Sequence, residues 1–433
     1  MRFLSMNGKP LAGGLLALLS STAVAQGDVL REQVNRALDE ARPALMSHLK
    51  DMASLEVRPG ELALMLLAAI HDGVPATDAV FAAAMRRLAN ANPTETYDLA
   101  LRLLVLEAFP AYPDREVQAK RDAKALLTHR NSSGAFDYRE NANGWDLSNT
   151  QYAALGLRAA KAMGVRIERS VWTKMAEEVG DQQDSYGGFV YRKRNETGMA
   201  SYASMTAAGI AVLAICRQAL GQEDRPNSTY SKQIARGWQW FDRNATVVGS
   251  AAEHWSYYFH YGLERAGILC DVDKVGGKDW YALGAQMLIR DQLAGGGWNS
   301  PTDAGAGPGA GAGPGAAGRG QAASTAFAIL FLRRKFQKVV APITPHIVTL
   351  PAIGPNSKPE DVAACADELA RRGKEVMPEL IAALRSELLP QRQAAAMALV
   401  EIAGEGFGYD PVKDAETNRA AVKKVELWYL RNR

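Results

Sequence analysis

Residues 144–157 read GWDLSNTQYAALGL. A glycine, a tryptophan and an aspartate lead through small polar residues into an alanine–leucine run, the order in which a helix begins. The run is apolar on most of its circumference, as a segment buried on several sides requires. The same design returns along the chain. NTQYAALGLRAA from Asn149 aligns with MTAAGIAVLAIC from Met205, WSYYFHYGLERA from Trp255 and STAFAILFLRRK from Ser324, with an earlier copy, ETYDLALRLLVL, from Glu95. Their hydroxyls, Thr96, Thr150, Thr206, Ser256 and Thr325, follow one another at intervals of 54, 56, 50 and 69 residues. The last interval is stretched by the insert AGAGPGAGAGPGAAGRG at 304–320, read as a flexible surface loop. A period of this size marks a repeat architecture, in which each unit buries its apolar face only against its neighbours.

Between the buried segments lie amphipathic ones, such as SVWTKMAEEVGDQQD from Ser170 and YSKQIARGWQWFDRN from Tyr230. A second mark precedes the buried segments: RNSSGAFDYR around Phe136, QDSYGGFVYR around Phe189 and QLAGGGWN around Trp298. Glycine allows a tight turn after an outer helix, and the aromatic is placed to plug the gap between successive helix pairs. Counted from Asp28, about twelve helices precede Pro342, alternating outer and inner, the first buried one being GELALMLLAAI from Gly60. Six pairs can close into an all-α ring, an α/α toroid with parallel inner helices around a central cavity. An open solenoid would give the same periodicity.

Composition agrees with a helical array. The chain has 433 residues, rich in alanine and leucine, and a formal charge of +3. Charge is nearly balanced and no basic run interleaves with aromatics, so nucleic acid is not an expected partner. At the N-terminus, Arg2 and Lys9 precede the run LAGGLLALLSSTAV, and AVA at 23–25 has small residues where a signal peptidase reads. Residues 1–25 are read as a cleaved signal peptide, which implies a periplasmic or secreted protein. The apolar run falls short of the ~20 residues that span a bilayer, and no later segment is apolar enough, so no transmembrane segment is expected in the mature chain. The three cysteines, Cys216, Cys270 and Cys365, cannot all pair within the chain, and Cys216, within AVLAICR, reads as buried filler.

By motif and spacing, roughly residues 55–340 resemble the terpenoid cyclase and protein prenyltransferase repeat family, the squalene-hopene cyclase-like α/α toroids. QLAGGGW and QDSYGGF look like that family's glutamine–tryptophan repeat. The resemblance implies the toroid fold over residues 26–340. Class II cyclases of this family carry Asp-x-Asp-Asp followed by Thr-Ala ahead of an inner helix and protonate an alkene from it. On that pattern this chain reads Asp146, Leu147, Ser148, Asn149, Thr150, Gln151. The first acid and the threonine remain, while a serine and an asparagine replace the inner acids. Protonating an unactivated alkene needs a strong, preorganised acid, which a serine hydroxyl cannot supply. DVDK at 271–274, the nearest literal match, reads as a surface turn. The zinc-binding Asp, Cys and His set of the prenyltransferases is also incomplete. His254 and His260, six apart, do not share a helix face, and they read as half-buried helix residues rather than metal ligands. No motif implies a metal or a cofactor.

Asp146 is therefore the one catalytic candidate, and it is equally suited to capping a helix. Trp145, Asn149, Tyr152, Tyr202, Trp255 and Tyr258 are candidate binding residues, because rings with polar tips at inner-helix starts suit an amphipathic ligand. Asp137, Glu140, Asp146 and Asp184 lie on loops where a carboxylate pair could work as acid and base on a glycan. Three readings stay open: a binding or interaction scaffold, a cyclase-like enzyme acting on an isoprenoid, and a carbohydrate-active enzyme of the α/α barrel type. The ligand expected in the central cavity is hydrophobic or a glycan.

Prolines at 342, 345, 351, 355 and 359 mark residues 341–358 as a linker. Beyond it, residues 359–433 contain KEVMPELIAALRSELLPQRQAAAMALVEIAG, which resembles a HEAT repeat, with Pro378 in its first helix, Pro390 in its turn and Arg392 before its second helix. Such a tail is expected to dock on the ring or on a protein partner.

Overall fold

A computed structural model describes residues 13–54, 57–112, 114–140, 144–192, 200–250, 256–299, 316–333, 353–354, 357–386, 388–414 and 417–432 of the chain. It divides into two compact units, Met1–Lys338 and Val339–Arg433. Among the described residues of the first unit are twelve α-helices: α1 (Gly13–Ser54), α2 (Pro59–Asp72), α3 (Ala79–Asn90), α4 (Thr96–Ala108), α5 (Arg115–Leu127), α6 (Leu147–Ala162), α7 (Arg169–Asp181), α8 (Ala203–Ala219), α9 (Thr229–Arg243), α10 (Ser256–Cys270), α11 (Trp280–Asp291) and α12 (Ala316–Arg333). A two-stranded hairpin, Lys274–Val275 with Lys278–Asp279, joins α10 to α11 through the DVDK turn.

The even-numbered helices are the inner ones. Leu147 through Ala160 of α6 and Ala203 through Cys216 of α8 are buried without a break. The outer helices bury one stripe, as α9 does with Ile234, Gly237, Trp240 and Phe241. Each inner helix packs on the next, from α2 through α4, α6, α8 and α10 to α12, and α12 packs on α2. The first unit is thus a closed, all-α toroid of six helix pairs.

The two repeat marks bind one another. The Phe136 N–H donates to Thr150 Oγ1 at 3.0 Å, Phe189 N–H to Thr206 Oγ1 at 3.2 Å and Trp298 N–H to Thr325 Oγ1 at 3.0 Å. Each aromatic is fully buried, so without the threonine its backbone donor would be unsatisfied. Thr96 and Ser256 do not share this task. Thr96 is the first residue of α4, with no Gly-x-aromatic turn before it, and it meets His129 Nδ1 at 2.8 Å. Ser256 donates to the Ser250 carbonyl.

The turn glycines Gly134, Gly187 and Gly296 have φ of 105°, 92° and 81°. A Cβ on them would stand 2.5 Å from Lys174 on α7, 2.2 Å from Arg236 on α9 and 1.9 Å from Glu40 on α1. Only glycine meets both demands. Gln183 Nε2 donates to the carbonyls of Gly187 and Gln233, at 2.9 and 2.8 Å, and Gln292 Nε2 likewise to those of Gly296 and Ala37, both at 2.8 Å. Helix α1 therefore receives the last repeat as α9 receives an earlier one, which closes the ring by the contact that joins its units. Asp72, at the end of α2, adds a second tie by accepting from Arg42 on α1 at 2.8 Å and Arg333 on α12 at 2.5 Å.

Two expectations change. The insert is helical from Ala316, because its alanine-rich end extends α12, while residues 301–315 lie outside the described set. His260 is fully buried rather than half-buried, its Nδ1 held by the Ser256 carbonyl at 2.8 Å. His254 lies outside the described residues. Cys216 is buried, and burial pushes its thiol up; neither it nor Cys365 is in a disulfide. Among the described residues no helix is long and apolar enough to cross a membrane.

The second unit has four α-helices among its described residues: α13 (Pro359–Arg371), α14 (Met377–Ala383), α15 (Leu389–Ala403) and α16 (Arg419–Asn432). They enclose a core of their own that includes Leu369, Leu380, Leu384, Leu399 and Val425. Prolines occupy the first turns of α13, α14 and α15, where a missing N–H costs nothing.

Candidate functional site at the mouth of the ring

The inner helices α4, α6 and α8 and the loops before them shape one end of the ring. Asp146 is the N-cap of α6 in extended backbone. Its Oδ1 accepts from the Ser148 hydroxyl at 2.6 Å and the Asn149 N–H at 2.8 Å, and its Oδ2 accepts from Asn149 Nδ2 at 2.7 Å. Its backbone is held as firmly, donating to the Phe136 carbonyl at 3.2 Å and accepting from the Thr150 N–H and hydroxyl at 3.1 and 2.9 Å. The residue is 1% exposed. Burial pushes its carboxyl above the usual range, against the three donated hydrogen bonds that favour the charged form. Among the described residues, no cation lies within ion-pair distance of it.

Five tyrosines stand within electrostatic reach of that carboxylate: Tyr97 on α4, Tyr258 on α10, Tyr202 at the N-cap of α8, and Tyr138 and Tyr191 on the loops before α6 and α8. Tyr202 holds in α8 the place Asp146 holds in α6, its N–H donating to the Phe189 carbonyl as Asp146 does to that of Phe136. Tyr138 and Tyr191 are half-buried with their hydroxyls 2.9 Å apart. Burial raises all five phenols, Tyr202 to about 12, so the phenols are neutral, and among the described residues the charged side chain that acts on Asp146 is a second acid, Asp137, whose negative charge adds to the rise of the Asp146 carboxyl.

Further in, aromatic rings run from wall to wall. Tyr97 lies 4.5 Å from Tyr152 between ring centroids, Tyr152 6.3 Å from Tyr258, and Tyr258 6.0 Å from Phe327 on α12. Helices α6 and α10 flank α8, yet they meet in front of it, where the Tyr258 hydroxyl donates to Gln151 Oε1 at 2.7 Å. The interior here is narrowed by rings with polar tips. Deeper on α10, Arg265 pairs with Glu264 and stacks on Tyr261 at 4.0 Å.

The structure gathers Asp146, Asn149, Tyr202 and Tyr258 around this mouth and puts Tyr152 in the ring beside Tyr258. Trp145 is buried next to Asp146, its Nε1 without a partner. Trp255 lies outside the described residues. Of the loop acids, Asp184 Oδ1 shapes a turn by accepting from the Tyr186 and Gly188 N–H groups, and Asp137 accepts from the Tyr138 N–H. Sequence reasoning passed over Tyr97, Tyr138 and Tyr191. The last two follow Phe136 and Phe189 by two residues in GAFDYR and GGFVYR, a repeated position that could have singled them out.

A second acidic spot lies at the start of α4. Asp98 Oδ1 accepts from the Gly60 N–H of α2 at 3.0 Å and lies 3.5 Å from Arg58, which also pairs with Glu95. Burial, ahead of these partners, pushes its carboxyl up to about 6.

The fold and this mouth define a closed α/α ring carrying one capped, buried carboxylate under a tyrosine shell. No family model matches the sequence, and no curated protein does. Among solved structures it is similar to the type II terpene cyclase MstE from Scytonema in its apo form, at 13% identity and a TM-score of 0.46 over 70% of this chain and 98% of that one. An Asp-to-Asn variant of that cyclase in complex with geranylgeranyl dihydroxybenzoate gives 13% and 0.46, covering 70% and 97%.

Proposed function

We propose that this chain is an exported binding protein built on an α/α toroid, and that it does not cyclise polyenes by proton transfer. The observation that supports this reading is the engagement of Asp146. All three of its hydrogen-bond partners donate, so the geometry suits a carboxylate that accepts and gives a proton no stabilised place from which to leave. The positions that hold the inner acids in class II cyclases hold Ser148 and Asn149, and both are spent on Asp146. The tyrosine rings that meet between α6 and α10 also favour a small or slender amphipathic ligand at the mouth over a bulky folded polyene within. In this reading residues 1–25 direct export, and α14 with α15 forms a HEAT-like pair that offers a surface to a protein partner.

The test is incubation of the purified protein with a geranylgeranyl-bearing aromatic acid and with squalene, followed by mass spectrometry of the extracts. No cyclic product is expected. A cyclic product that disappears in Asp146→Asn would overturn the proposal in favour of the cyclase reading.

A further inference from the structure

Asp146 poses a problem of charge that its hydrogen bonds do not solve. Neutral donors soften a buried carboxylate, but an anion out of water remains costly until a positive charge faces it. Every other buried carboxylate with an assigned role in this ring has its cation. Asp122 has Arg102 at 2.6 Å, Asp72 has Arg42 and Arg333, Glu264 has Arg265, and Asp98 has Arg58. Asp146 alone of these has none among the described residues. Beside it, Asn149 Oδ1 is fully buried and has no hydrogen-bond partner. The groups at the mouth without a matching partner are therefore a buried anion, with Asp137 adding to the negative potential on it, and a buried acceptor, and both call for a donor that carries positive charge.

The shell narrows the kind of cation. A divalent metal ion needs several anionic or carbonyl oxygens, whereas the phenols here stay protonated, and no cluster of three or more metal-ligating side chains occurs among the described residues. Tyrosine faces carry negative electrostatic potential and attract organic cations. We infer that the mouth of the ring binds a small organic ammonium ion, its N–H groups directed at Asp146 and Asn149 Oδ1 and its carbon skeleton against Tyr138, Tyr191 and Tyr202. A primary ammonium fits better than a quaternary one, because Asn149 Oδ1 needs an N–H. The half-buried Tyr138, Tyr191 and Tyr202 form the side open to solvent. The inference rests on the binding reading above and gives it a ligand class.

Isothermal titration of the full chain with benzylamine, and with benzyl alcohol as its neutral counterpart, tests this. Benzylamine is expected to bind at least about tenfold more tightly. Asp146→Asn should remove that preference, and benzylamine affinity in the wild type should fall as the pH drops towards the carboxylate range. Tyr202→Ala, at a position that caps nothing with its side chain, should weaken benzylamine several-fold and decides the matter should Asp146→Asn fail to fold. Equal affinity for amine and alcohol, no binding of either at millimolar concentration, or an amine preference that survives both substitutions would overturn the inference. Any of these results without cyclic products in the polyene assay leaves the binding reading standing, whereas cyclic products refute that reading itself.

Discussion

Asp98 and Asp146 stand at the starts of neighbouring inner helices, both buried and both hydrogen-bonded, and they do different work. Asp146 is the residue before its helix, where a carboxylate can reach the free N–H groups of the first turn, so its partners lie two and three residues ahead. Asp98 is the third residue of α4, too far in to cap it, and reaches sideways to the Gly60 N–H that opens α2. One secures a helix and the other stitches two together. Asp98 also has Arg58 against it, while Asp146 has only neutral partners. The stitched acid has a cation beside it, although burial still outweighs that cation, and the capped one has none among the described residues.

The largest expected effect separates them by truncation. Asp146→Ala removes a cap and strands buried donors on Ser148 and Asn149, a loss of about 3 kcal/mol. Asp98→Ala should cost about 2 kcal/mol, since Arg58 keeps Glu95. Urea unfolding measures both, and the reverse order would break the comparison.

The pH dependence sharpens it. The Asp98 carboxyl, raised from 3.8 to about 6, holds its proton more tightly in the folded chain than in the unfolded one. Its contribution to stability is fully present below the unfolded value and is lost as the pH rises through about 6. Relative to Asp98→Asn, which keeps an oxygen for the Gly60 N–H, the wild type should lose about 2–3 kcal/mol between pH 4 and pH 7. Denaturant midpoints across that range check this, and parallel curves for the two proteins would contradict it.

Much of the ring is legible in the sequence, and the limit of legibility is set by distance along the chain. The alternation of apolar and amphipathic segments reveals six helix pairs because burial dictates composition residue by residue. The threonines and the glycine–aromatic turns are each visible as periodic marks. Their mutual hydrogen bonds are not, because Phe136 and Thr150, or Trp298 and Thr325, meet only after the chain has turned. The glutamines show the same limit, for Gln292 reaches Ala37 at the other end of the unit. Asp146 reads as a cap because a cap is local. Asp98 escaped notice because Gly60 and Arg58 lie 38 and 40 positions away, and the phenol ring around Asp146 draws on three helices and two loops.

Smaller effects probe the repeat bonds. Thr206→Val leaves the buried Phe189 N–H unpaired and should cost about 2 kcal/mol, with Thr150→Val and Thr325→Val alike. Thr96→Val should cost less, about 1 kcal/mol, since the Thr96 hydroxyl meets His129 Nδ1 and the Asp137 carbonyl and satisfies no buried aromatic N–H. Equal losses at all four positions by thermal unfolding would show that the two kinds of hydroxyl are interchangeable. Tyr258→Phe, which frees one oxygen of Gln151 at the α6–α10 crossing, should cost about 1 kcal/mol.

The most direct test of the account is the protonation state of Asp146, read as the carboxyl signal in the infrared difference spectrum between wild type and Asp146→Asn at neutral pH. An ionised carboxylate is predicted, because its three donors favour the charged form against the burial that raises the carboxyl. A protonated carboxylic acid at that pH would contradict the account, since such a group would be poised to give up a proton and could not hold an ammonium ion.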